Sequence, residues 1–135
     1  MPSEMDDYVD QLRALREKVL KDEAALKEMC RPVLDISYAG WLRARIADND
    51  IFLIVAIRIF TPRTFAGKRM ECGSVRDEIC KYMGINKWSV SKRVKLVLFY
   101  YDNIRNFRRK ANLKYKNIIT EAGRLGILKD WEQYL

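Results

Sequence analysis

Gly84 narrows the fold of this chain more than any other residue, because it stands between two short segments whose apolar residues recur at helical spacing. Before it, Ile79 and Met83 stand four apart, as one buried stripe of a helix requires, and Cys80 beside them is small enough to let a second helix cross nearby. Helices commonly end in a left-handed residue, a conformation glycine adopts without steric penalty, so the first helix is expected to stop at Gly84. Ile85 is then the apolar plug of the turn, Asn86 a good N-cap, and Val90, Val94 and Val97 the inward stripe of the second helix. The stretch from Arg76 to Val94, RDEICKYMGINKWSVSKRV, therefore predicts a helix-turn-helix.

That stripe leaves Lys87, Trp88, Ser91, Lys92 and Lys95 on the outside. Together with Asn86 they are the side chains a recognition helix over 87–98 would present to a major groove, basic ones for phosphates and polar ones for base edges. Trp88 reads equally well as a packing residue of the first helical turn. Lys68 and Arg69, in the loop GKRMECGS leading into the motif, have the reach for flanking phosphates, although a solvated loop satisfies the same composition. The plainer reading of the whole stretch is a helical hairpin with a solvated basic face.

Charge distribution favours the polyanion reading. The net charge is +8, yet residues 1–30 carry eight acids against five bases, so the excess lies downstream. From Lys87 to Lys116 there are ten Lys and Arg against the single Asp102, and this basic block overlaps the expected recognition helix.

Several function classes are excluded by what the chain lacks. It contains no histidine, which removes the commonest general base, the usual metal ligand and every Ser-His or Cys-His nucleophile arrangement. With no Walker loop, no G-x-G-x-x-G fingerprint and no tight carboxylate cluster outside the N-terminal segment, no catalytic residue and no cofactor is expected. Cysteines 30, 72 and 80 lack the paired spacing of a disulfide framework or a zinc site. The longest apolar run, Ile51 to Ile57, is too short to span a bilayer, and the first residues lack a signal-peptide pattern, so a cytoplasmic protein is expected.

Along the chain, residues 3–30 predict one long amphipathic helix, with Ser3 as cap and Glu4, Asp6 and Asp7 in its first turn. Met5, Tyr8, Leu12, Leu15, Val19, Leu26 and Met29 trace a heptad stripe whose one defect is Asp22. Residues 5–29 therefore suit either a coiled-coil homodimer or a helix folded back on its own core, since a 3.5 and a 3.6 repeat are hardly separable over this length. Pro32 breaks that helix. A second is expected from Ser37, carrying Tyr38, Trp41, Leu42 and Ile46, and Ala47 to Asp50 reads as a turn. Ile51 to Phe60, IFLIVAIRIF, fits a buried strand or a buried helix by pattern; helix is preferred because an isolated strand has nothing to pair with. It is the expected centre of the domain. Thr61 is then expected to cap a short helical turn through Ala66, the second helix of the motif to continue to about Asn106, and a last helix to run from Phe107 or Arg108 to Ala122, closed by Gly123 and Gly126.

This order of elements, carried by IFLIVAIRIF and EICKYMGINKWSVSKRV within Asp50 to Ala122, resembles the Trp-repressor-like superfamily, in particular the C-terminal origin-binding domain of the bacterial replication initiator. That family carries a Gly-Arg-Asp-His-Thr-Thr signature; Gly84-Ile85-Asn86-Lys87-Trp88-Ser89 shares its glycine and a hydroxyl. The resemblance implies double-stranded DNA binding at positions 87, 88, 91 and 92, without a nucleotide-hydrolysing domain.

The resulting expectation is an all-α protein: an amphipathic helix over 1–31, then a helix-turn-helix domain over 32–135. Its expected role is DNA binding, as a small transcriptional regulator or an accessory factor of a mobile element or phage. The alternative is a protein-interaction module working through the N-terminal heptad helix, with no nucleic-acid role.

Overall fold

The computed structural model describes residues 10, 11, 13, 14, 31–67, 69, 70 and 73–135, and among them every regular element is helical. Six α-helices follow in order: α1 (Ala39–Arg45), α2 (Asn49–Phe60), α3 (Pro62–Phe65), α4 (Gly73–Met83), α5 (Lys87–Asn103) and α6 (Arg105–Arg124), with 3-10 turns at Ile36–Tyr38 and Trp131–Tyr134. Residues 10, 11, 13 and 14 are helical, and Arg13 donates to the carbonyl of Asp102 near the end of α5. The rest of the helix expected over 3–30, including its heptad stripe, lies outside the described residues.

IFLIVAIRIF is a helix, and the apolar run explains its position. Nine of the twelve residues of α2 are buried, so the element is hydrophobic all round and must be enclosed on every side. The other five helices supply that enclosure, each packing against α2. Burying Phe52, Leu53, Ile54 or Ile57 contributes about 1.5–3 kcal/mol each relative to exposure. Arg58 is the one charge in the run, and it is accommodated by stacking: its guanidinium carbon lies 3.7 Å from the centroid of the Tyr115 ring and 5.4 Å from that of Phe65. Arg58 Nη1 also donates to Asn112 Oδ1 at 3.1 Å, the same oxygen that accepts the Tyr101 hydroxyl at 2.6 Å, so one buried amide on α6 joins α2 to α5.

Several expected boundaries move, each for a local hydrogen-bonding reason. A 3-10 turn starts at Ile36, one residue ahead of the expected start at Ser37, because Asp35 caps it; the Asp35 carboxylate accepts the Ser37 N–H at 2.9 Å. α2 begins at Asn49 inside the expected turn, since Asp48 accepts the Ile51 N–H at 2.9 Å. Thr61 precedes α3 without a side-chain cap; its hydroxyl pairs with that of Thr64 at 2.9 Å. α5 stops at Asn103 rather than near Asn106, because Ile104 is extended (φ −112°, ψ 106°) and forms a one-residue joint to α6. α6 consequently starts at Arg105 and runs through Ala122 and Gly123 to Arg124. Gly126 (φ +73°) takes the left-handed closing position, with Ile127 N–H donating back to the Ala122 carbonyl at 2.9 Å. Gly123 serves packing instead: a Cβ there would overlap the indole of Trp131.

Candidate nucleic-acid interface

α4 turns its Val75, Ile79 and Met83 into the core, and α5 does the same with Val90, Val94, Val97 and Tyr101. Between them the chain reverses in three residues. Gly84 is left-handed at φ +68°, and the N–H groups of Gly84 and Ile85 both reach the Cys80 carbonyl, at 2.8 and 3.2 Å. Ile85 is half-buried, and Asn86 Oδ1 accepts the Ser89 N–H at 2.9 Å, which starts α5. On its far side α4 leans on α1 at Gly40, where an added Cβ would come within 2.8 Å of the Tyr82 hydroxyl.

The core stripe fixes what α5 exposes. Lys87, Trp88, Ser91, Lys92 and Lys95 all face outward. Trp88 is 72% exposed, so it is not a packing residue; its ring lies 5.6 Å from Lys87 Nζ. At 100° per residue Trp88, Lys92, Lys95 and Phe99 form one stripe, and Phe99, 58% exposed, extends it about 16 Å beyond Trp88. Two expected readers are partly committed locally. The Ser91 hydroxyl donates to the Lys87 carbonyl at 3.1 Å, leaving only its acceptor capacity outward, and the Asn86 oxygen is engaged in the cap, leaving its NH₂.

Beside this stripe, a cleft of about 630 Å³ opens between the segment Thr64–Met70 and α5. Arg69, Arg76, Lys87 and Lys95 bring four cations to it, Trp88 stands at it, and among the described residues no carboxylate lines it. Arg69 thus lines the same cleft as Lys87, Trp88, Ser91 and Lys95, whereas Lys68 lies outside the described residues. Arg76, Arg93 and Phe99 were not singled out by sequence. Arg76 stands three residues before Ile79, close to the α4 face that meets α5, and its Nε is buried with no hydrogen-bond partner among the described residues. Arg93 forks onto Asp50 in the first turn of α2, and those hydrogen bonds raise its pKa further, fixing its charge. Nothing local in the sequence announces that pairing across 43 positions.

Burial, reinforced by Asp77 and opposed by Arg76, pushes the Cys80 thiol up and keeps it protonated. Among the described residues no group of three or more His, Cys, Asp or Glu side chains is placed to hold a metal, and no helix is long and apolar enough to cross a membrane. Comparison with protein-family models, with curated proteins and with solved structures finds no match.

Proposed function

We propose that this chain is a helix-turn-helix DNA-binding protein of the Trp-repressor-like kind, a small transcriptional regulator or an accessory factor of a mobile element or phage, that lays α5 in the major groove of double-stranded DNA. The observation that carries this reading is the division of α5 into a buried valine stripe and an outward face of Lys87, Trp88, Ser91, Lys92 and Lys95. A helix about 10–12 Å across fits a major groove about 12 Å wide, provided its exposed side chains match phosphates and base edges. Lys92 and Lys95 suit the phosphates, together with Arg69 across the cleft. The Asn86 NH₂ is a donor for a base edge and the Ser91 oxygen an acceptor, while Trp88 offers an apolar surface for a thymine methyl.

The test is fluorescence anisotropy of a labelled random-sequence duplex titrated across a salt series. Four or five phosphate contacts at a slope of about −0.9 each predict log K falling with log salt at roughly −4. Lys92→Ala weakens binding to all sequences and lowers that slope by about one, whereas Ser91→Ala flattens the preference between sequences selected from a random library. Absence of binding at low salt, or full binding by the Lys87→Glu, Lys92→Glu variant, overturns the reading.

A further inference from the structure

α6 carries seven basic residues against the single Glu121, and Glu121 is held by Arg45 of α1 at 2.9 Å. Arg108 is buried, where its guanidinium donates to the Tyr101 carbonyl at 3.3 Å. The remaining cations lie away from the core edge of the helix, which is made by Ala111, Tyr115, Ile118 and Ala122. Arg109, Lys110, Lys116 and Arg124 are exposed, and none of them forms an ion pair among the described residues. Arg109, Lys116 and Arg124 fall along one side of the helix over about 22 Å. Within that span one DNA strand offers roughly six phosphates at 3.4 Å of rise.

Two features separate this face from ordinary solvation. A surface that only keeps a helix in water interleaves acids with bases, because like charges at i,i+4 repel. Here Lys110 and Lys114 are a like-charged i,i+4 pair, and Arg109, Lys116 and Arg124 share one side of the helix with no acid of α6 among them. The face is also poor in apolar groups. Leu113, 62% exposed, is its one large hydrophobic residue, among Asn106, Asn117 and Thr120. A membrane-lying helix or the centre of a protein interface would show more apolar surface than this.

The packing places this face apart from the α5 interface. α2, α5 and α6 all touch one another, so the buried edges of α5 and α6 point toward a common centre. Their outer faces therefore turn away from that shared centre instead of merging into the single α5 stripe.

We propose that the outer face of α6, centred on Arg109, Lys116 and Arg124, is a second polyanion-binding surface that takes the phosphate backbone of a second DNA duplex, so that one chain bridges two DNA segments. The proposal rests on the proposed function for the identity of the polyanion and for the first duplex, held by α5. The experiment loads full-length protein onto an immobilised 30-base-pair duplex at low salt, then measures capture of a second, labelled duplex. In parallel, anisotropy reports affinity for one duplex, and circular dichroism checks folding. Wild type captures the second duplex. Arg109→Gln/Lys116→Gln/Arg124→Gln, a neutral variant of exposed positions, keeps single-duplex affinity within about twofold but loses at least tenfold of the capture.

Unchanged capture by that variant overturns the proposal. So does a fall in single-duplex affinity equal to that of Lys92→Glu/Lys95→Glu, which would make α6 part of one continuous interface. Binding of wild type to phosphatidylserine vesicles, lost in the α6 variant while capture persists, would assign the face to a lipid surface and also overturn it. If reversal of Lys92 and Lys95 leaves DNA binding intact while the α6 variant abolishes it, the proposed role of α5 fails and the bridge is overturned with it, leaving α6 as a single duplex site. No binding of any duplex at low salt removes both.

Discussion

Arg93 grips Asp50 with both arms of its guanidinium, Nε to one carboxylate oxygen at 2.7 Å and Nη2 to the other at 2.6 Å, fastening the middle of α5 to the first turn of α2. The side chains keep 40% and 23% of their surface, so solvent screening limits the stabilisation to at most about 1 kcal/mol despite the forked geometry. Arg93→Gln should lower the unfolding free energy by up to that amount, read as a lower urea midpoint at unchanged slope, and weaken DNA binding by loosening the seat of α5. An Arg93→Asp, Asp50→Arg exchange should recover part of the loss. Equal stability of wild type and Arg93→Gln would mean the pair holds nothing.

Trp88 separates binding from folding. With 72% of its surface exposed it contributes little to the core, so Trp88→Ala should leave stability within about 0.5 kcal/mol of wild type. Its affinity for duplex DNA should nonetheless fall several-fold at constant salt slope, since an apolar contact is lost and no phosphate contact is. A variant that unfolds early and binds normally would return Trp88 to the core.

The glycines at 84 and 123 should respond to alanine in different ways. At Gly84 a Cβ meets nothing within 4 Å, so Gly84→Ala costs only the left-handed backbone, about 1–2 kcal/mol, read as a uniform fall in the unfolding midpoint. At Gly123 the added carbon displaces Trp131. In a Trp41→Phe, Trp88→Phe background, where Trp131 is the remaining indole, Gly123→Ala should shift emission to the red well before global unfolding. An unmoved emission maximum would show that the C-terminal turn does not depend on this contact.

Cys80 should be a poor nucleophile. Because burial raises its pKa, the folded chain holds the thiol proton more tightly than the unfolded chain. The stabilisation tied to that proton is fully present below the ordinary thiol pKa and is lost as pH rises through the folded value. In a Cys30→Ser, Cys72→Ser background, alkylation by iodoacetamide should be at least tenfold slower in the native state than in urea, with its midpoint moved to higher pH. Matching rates in the two states would contradict the burial argument.

The parts legible in the sequence are those set by short-range rules. The valine stripe of α5, the stop at Gly84, the cap at Asn86 and the central helix from IFLIVAIRIF all follow from periodicity and turn chemistry within a few residues. The Lys and Ser outside the stripe were placed by the same geometry. What stayed hidden depends on contacts between distant segments. The sequence leaves Trp88 open because a first-turn tryptophan packs or not according to what lies opposite it, and the grip of Arg93 on Asp50 joins two helices. No glycine or proline marks the break at Ile104. Asn103 engages its own helix there, donating to the Phe99 carbonyl at 2.9 Å, just before the backbone straightens.

That break has a kinetic consequence. With Ile104 alone between them, α5 and α6 meet at almost no loop-closure entropy, whereas α2 must be brought to them across the intervening chain. The hairpin should therefore assemble first and act as the template on which α2 docks. Truncations inside it, such as Val97→Ala, should slow refolding, while Leu42→Ala on α1 should mainly hasten unfolding. Stopped-flow chevrons with the two effects reversed would place the nucleus elsewhere. By this order, the helix proposed to read DNA takes shape before the domain that carries it.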